Sequence, residues 1–109
     1  MWKPPGWPEA HPAVIVSHPD RVTRKSELEL VMCSTKRAGR TPEGHEIMLD
    51  EADGLDWPTL CKCDLLYTVA KSELKQKKGR VTKARQTQLV RTIIVSHYWG
   101  AVLGGTVIV

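Results

Sequence analysis

Gly54-Leu55-Asp56-Trp57-Pro58-Thr59-Leu60-Cys61-Lys62-Cys63-Asp64-Leu65-Leu66-Tyr67-Thr68-Val69 is the stretch whose reading decides the fold. Asp53-Gly54 is a strong turn dipeptide, and Pro58 cannot sit inside a central strand. The chain then alternates, which predicts a strand with Lys62 and Asp64 on one face and Cys61 and Cys63 on the other. Leu65 to Val69 continues it with good strand formers. A lysine and an aspartate two residues apart on one face make a candidate acid–base pair. An edge strand with a solvated polar face accounts for the same spacing.

Around this strand the chain has 109 residues, enough for one domain with a modest core. We read residues 1–109 as that single domain, with an irregular arm over 1–12 and an apolar tail over 98–109. There is no Phe, so Trp and Tyr must supply the core aromatics. Sixteen Lys and Arg against twelve acids give a net charge of +4, which favours an anionic partner such as nucleic acid or an acidic peptide. The basic residues crowd into Lys71 to Arg85. Three cysteines is an odd number, and Met1 to Pro12 is too polar and proline-rich for a signal core, so a reduced, cytoplasmic chain is expected. Cys61-x-Cys63 lacks the spacer of a zinc knuckle, and no second pair exists; buried strand cysteines, with no metal and no cofactor, are the expectation. No apolar stretch approaches membrane-spanning length.

Met1 to Ala10 holds Pro4, Pro5, Gly6 and Pro8 and should be extended and irregular. Its Trp2 and Trp7 either cover a core edge or stack on a base. Ala13 to Ser17 is a continuous apolar run and predicts a strand buried on both faces. Arg21 to Ser26 reads as a basic loop, and Glu27 to Cys33 as a second strand. The Ser34-Thr35-Lys36-Arg37 cluster at its end suits either a phosphate or plain solvation. Glu46 to Leu49 is a third strand and Asp50 to Trp57 an acidic turn segment. After the long strand, Lys71 to Leu74 makes one helical turn and Gly79 to Val81 a short strand. Thr82 caps a helix with Val90, Ile93, Ile94 and His97 on one stripe and Arg85, Gln88 and Arg91 on other faces, ending near Tyr98 to Gly100. Gly104-Gly105 is a break, and Thr106 to Val109 a last strand at an open sheet edge. Five or six short strands and one helix suggest a mainly β fold, a small antiparallel barrel with a C-terminal helix.

The order of these motifs resembles the MazF/PemK/Kid toxins of bacterial type II toxin–antitoxin modules. His11-Pro12-Ala13-Val14-Ile15-Val16-Ser17 resembles the family's Arg-Pro-Val-Leu-Val-Val-Ser strand. Val31-Met32-Cys33-Ser34-Thr35 resembles a strand ending in Ser or Thr. Gly54-Leu55, Thr59 and Cys63-Asp64-Leu65-Leu66-Tyr67-Thr68-Val69 follow its Gly-Leu turn and Val-x-Cys-Asp-Gln-Ile-Arg-Thr-Val-Asp strand, and Gly79-Arg80-Val81-Thr82 its Gly-x-Leu/Val-Ser/Thr segment. The similarity covers roughly residues 11 to 97.

The resemblance implies an SH3-like barrel, a homodimer, a cognate antitoxin as partner, and cleavage of single-stranded RNA without metal to a 2′,3′-cyclic phosphate. That chemistry needs a base, an acid and a cation. By position, Lys62 replaces a catalytic arginine, Asp64 matches its carboxylate partner, His11 replaces the arginine of the Arg-Pro strand, and Ser34 or Thr35 matches the catalytic hydroxyl. Lysine keeps the charge and loses the bidentate fork; histidine can act as acid or base. Lys36, Arg37, Tyr67 and Lys71 become the candidate RNA contacts. The family's Gln and second Arg are Leu65 and Tyr67 here, and most of its first strand has no counterpart before Trp2. Loss of the arginines favours a second reading, a non-catalytic barrel that binds a protein partner, as CcdB-like gyrase poisons do, or nucleic acid.

Overall fold

β4, Thr59–Ala70, is the twelve-residue strand on which the molecule is assembled. In the computed structural model, which describes residues 1–35 and 40–97, it lies between β2 (Glu27–Thr35) and β3 (Glu46–Leu49), with β1 (Ala13–Ile15) outside β2. All pairings are antiparallel, in the order β1-β2-β4-β3. A short helix α1 (Pro19–Arg24) joins β1 to β2, and helix α2 (Lys83–Ser96) follows the sheet. The expected antiparallel β fold with a C-terminal helix is therefore present. Four described strands form it, where five or six were expected.

The sheet has two faces, set by alternation along each strand. Val31, Cys33, Ile47, Leu49, Cys61 and Cys63 form one core under Leu89 and Ile93 of α2. Leu28, Leu30, Met32 and Val69 form a second core on the far face, capped by Trp2. The phase of β4 changes along its length. Cys61 pairs with Cys33 and Leu66 with Val31, so four β4 residues stand opposite the single Met32. Three residues are in excess, a bulge over Lys62 to Leu65. An odd excess reverses the facing: Cys61 and Cys63 look toward α2, whereas Tyr67 and Val69 pack with the far-face core.

Several local expectations are corrected. β1 is not buried on both faces: it is an edge strand, and Ile15 is 46% exposed. The Arg21 to Ser26 loop is largely helix α1, because Pro19 occupies the first turn and His18 Nδ1 accepts from the Asp20 amide (3.1 Å). The N-terminal arm is irregular, as its prolines require, yet it folds back. Pro4 to Trp7 closes a turn (Trp7 N to Pro4 O, 3.1 Å) with Gly6 at φ 80°, and Trp2 pairs with His11. Trp2 is thereby the core cover, 3% exposed, its ring 5.0 Å from that of Tyr67. Gly79 to Val81 is extended but no strand. It is held instead by close approach of Gly79 to Gly54, whose φ is 90° and where a Cβ would lie 2.7 Å from the Gly79 Cα.

α2 begins at Thr82 as expected, its hydroxyl accepting from the Arg85 amide at 3.3 Å. It ends at Ser96 with His97 as C-cap, before the expected Tyr98. Leu89 and Ile93 are its buried residues, while Val90, Ile94 and Val95 are exposed. Arg85 points inward rather than to solvent: it reaches Asp50 (3.0 Å), Asp53 (3.4 Å) and the Met48 carbonyl. Buried Asp53 also accepts from the Asp50 amide (3.1 Å) and the Thr82 amide (3.0 Å), tying the turn before β4 to the start of α2. The expected break at Gly104-Gly105 and strand at Thr106 to Val109 lie outside the described residues.

Candidate active site on the far face of the sheet

On β3 and β4, the side chains facing away from α2 are Glu46, Met48, Leu60 and Lys62, by the register Glu46 to Lys62 and Met48 to Leu60. Ser34 stands opposite Leu60 on the other flank. The β1–β2 register, carried on through the bond from the Cys33 amide to the Pro12 carbonyl (2.9 Å), puts His11 opposite Ser34. The sheet thus gathers His11, Ser34 and Lys62 on one face. Thr35 has the other phase; it is exposed at the rim and accepts from Trp57 Nε1 at 3.2 Å. Asp64 projects from the bulge, exposed.

The electrostatic centre is Glu46, which the sequence reading did not single out. Its side chain is fully buried, and it accepts from Arg40 Nη2 (2.7 and 2.8 Å), Lys62 Nζ (3.2 Å) and the Glu43 amide (3.0 Å). Burial pushes its carboxyl up, but these hydrogen bonds outweigh burial and hold it at about 2. Two cations on one carboxylate leave the group with one net positive charge.

Beside it stands a second unanticipated residue, His45. Its Nε2 is 4.0 Å from Asp64 Oδ1 and its Nδ1 is 3.7 Å from Glu43 Oε2. The backbone explains the approach: the Cys63 amide donates to the His45 carbonyl (2.9 Å), so β3's first residues run alongside the bulge. Asp64 has therefore found an imidazole, but that of His45. The His11 ring instead meets Trp7 edge-on, centroids 5.1 Å apart. A histidine just before a strand carries no periodic signal, and only the register brings it to Asp64.

Glu43, His45 and Glu46 place ligand atoms within 4.8 Å of one another. As a metal site they fit poorly, because both Glu46 oxygens already accept from Arg40 and Lys62, which a cation would have to displace. The cysteines offer no better set. All three are buried, and the thiols of Cys33 and Cys63, with burial, push the Cys61 thiol up.

Of the candidate RNA contacts, Tyr67 is half-buried against Trp2, and Lys71 donates to the Val22 carbonyl at 2.5 Å, closing the end of α1. Lys36 and Arg37 lie outside the described residues. Among the described residues no helix is long and apolar enough to cross a membrane.

Comparison with known proteins adds to this geometry. Residues 4–97 match the family described as PemK-like, MazF-like toxin of type II toxin–antitoxin system. Among solved structures, the chain is similar to Mycobacterium tuberculosis toxin MazF-mt6, with a TM-score of 0.70 and 19% identity over 81% of this chain and 86% of that one. It is similar to a structure described as an Mtb toxin, with a TM-score of 0.71 and 20% identity over 80% and 92%. It is also similar to an endoribonuclease in complex with its cognate antitoxin, from a mycobacterial species. There the TM-score is 0.72, with 22% identity over 96% of this chain and 90% of that one. At these identities the likeness establishes the fold. No curated protein matches the chain.

Proposed function

The chain belongs to the PemK-like, MazF-like toxins of type II toxin–antitoxin systems, and we propose that it is a metal-independent endoribonuclease for single-stranded RNA, held in check by a cognate antitoxin. The observation that carries this reading is the grouping at the β4 bulge. Asp64 and His45, a carboxylate and an imidazole, stand 4.0 Å apart, and Lys62, two residues before Asp64, is held on Glu46, the residue after His45.

In the proposed reaction Asp64 takes the proton of the ribose 2′-OH, directly or with His45 as the group that receives it. The 2′-oxygen then bonds to phosphorus and the bond to the 5′-oxygen breaks. The leaving oxygen takes a proton from His11, and the products are a 2′,3′-cyclic phosphate and a 5′-hydroxyl. Lys62, with Arg40 across Glu46, supplies the net positive charge for the phosphorane. Ser34 or Thr35 donates to a phosphate oxygen. Lys36 and Arg37, which follow Thr35, are the stronger part of the proposed RNA path; Tyr67 and Lys71 are already engaged within the fold. A homodimer belongs to the same proposal, supported by exposed Ile94 and Val95 on α2.

The test is cleavage of a long single-stranded RNA with chelator present. Wild type should cut, and Asp64→Ala should lose about 10²–10⁴ in rate, the usual worth of one acid or base. His11→Ala should lose a comparable factor. A wild type that cuts nothing overturns the proposal and favours the non-catalytic binding reading. That alternative draws on the Lys62 ammonium, which is already committed to Glu46.

A further inference from the structure

A concavity lies away from the charged face, at the outer edge of the sheet. It is an open groove of about 700 Å³. Residues 12–17, which include β1, form one wall, and residues 75–81 form the other. Leu30, Cys33 and Leu49 lie at its base, and Leu89 and Val90 of α2 at its end. The first wall is an edge strand; the second carries no helix or strand and turns at Gln76, whose φ is 51°, and the two are not paired across the gap.

The hydrogen bonding of β1 shows what the edge offers. The Val16 amide donates to the Glu29 carbonyl (3.0 Å) and the Pro12 carbonyl accepts from Cys33 (2.9 Å), so residues 12, 14 and 16 direct their backbone groups at β2. By alternation, the amides of Ala13 and Ile15 face the groove. An edge strand with free donors over an apolar base is a template for one more strand.

We propose that residues 106–109 of this chain occupy the groove as an added strand on β1. Thr106-Val107-Ile108-Val109 is wholly β-branched, the composition that suits a partly buried strand. Its four residues match the length of β1 and its flanks. The reach is sufficient: Val90, in the groove, lies about 10 Å along the helix from His97. Residues 98–105 can span about 26 Å when extended. Gly104-Gly105 supplies the sharp entry just before the strand. A shallower depression lined by Val90, Arg91 and Ile94 adjoins the groove at Gln86 and Val90 and marks the route along α2.

The test is amide hydrogen exchange followed by NMR on the full chain, on a variant lacking residues 105–109, and on Ile108→Pro, which keeps the length but cannot pair. In the full chain the amides of Ala13 and Ile15 should be protected. In both variants they should exchange at least tenfold faster, while Val14 and Val16, bonded to β2, keep their protection and report an intact sheet. Ala13 and Ile15 unprotected in the full chain would overturn the proposal. So would protection that survives in both variants, which would mean another occupant, or protection that falls on dilution, which would mean the tail of a second copy. If the truncation fails to fold, the Ile108→Pro arm alone decides.

Discussion

The two faces of this sheet solve different problems with the same strands. Toward α2 the residues are small and apolar, from Cys33, Cys61 and Cys63 to Ile47 and Leu49, and Leu89 and Ile93 close over them. Where α2 begins, Arg85 is paired with Asp50 and Asp53. Away from α2 the face divides. One end is apolar under Trp2; the other carries Glu46, Lys62 and Ser34, with Asp64 and His45 at its border. The helix face holds the fold together. The far face buries the Glu46 charge, which is seldom a net source of stability, and is the face to which our proposal gives the chemistry.

The sharpest way to break that contrast is to truncate the helix face. Leu89→Ala should cost about 2–5 kcal/mol in urea unfolding, as buried leucine truncations do; a loss under about 1 kcal/mol would mean that α2 is not the lid we describe. Cys61→Ser, on the same face, should cost about 1–3 kcal/mol by placing a hydroxyl in apolar surroundings. Rapid labelling of its thiol in the native protein would contradict that burial.

Acid should act on both faces, through Glu29, which shares the phase of Val31 and Cys33 on β2, and through Glu46 on the far face. Glu29 is held at about 2 by Arg21, with help from Ser17, and Glu46 at about 2 by the contacts given above. Both values are depressed, so the stability these carboxylates contribute is present above their ordinary value near 4.5 and is lost as pH falls toward 2. The slope of unfolding free energy between those limits should lessen by about one proton in Glu46→Gln. An unchanged slope would show that Glu46 is not charged in the native state. The smallest stability effect belongs to Lys62→Ala. Arg40 still neutralises Glu46, so the change should stay within about 1 kcal/mol while RNA cleavage is lost. A large loss of stability there would make Lys62 structural and blur the division of labour.

The helix face was the legible part. Alternation placed Cys61 and Cys63 inside and Lys62 and Asp64 outside, and Thr82 announced α2, because period and capping are local properties. The stripe of α2 was read one position off. Val90 and Ile94 looked as apolar as Leu89, and only packing chooses among them. Arg85 falls off the apolar stripe, as expected, but its inward pairing was not legible, because its partners Asp50 and Asp53 lie far off in sequence. Helix α1 escaped notice because six residues give no period to read. Of the candidate site, strand phase and resemblance single out Lys62, Asp64, Ser34 and His11. Glu46 and His45 were not, since their importance comes from a cross-strand register that no single segment contains.

The bulge in β4 bears on how this chain can tolerate deletion. Its three excess residues break the alternation, and that break is what brings Leu66 to the same side as Cys61 and Cys63. Removing one residue between Lys62 and Leu65 would leave an excess of two, and unbroken alternation from Cys61 would still deliver Leu66 toward α2 and Tyr67 and Val69 toward Trp2. A shortening by one residue at this point should therefore be accepted by the fold, at the expense of the surface from which Asp64 projects.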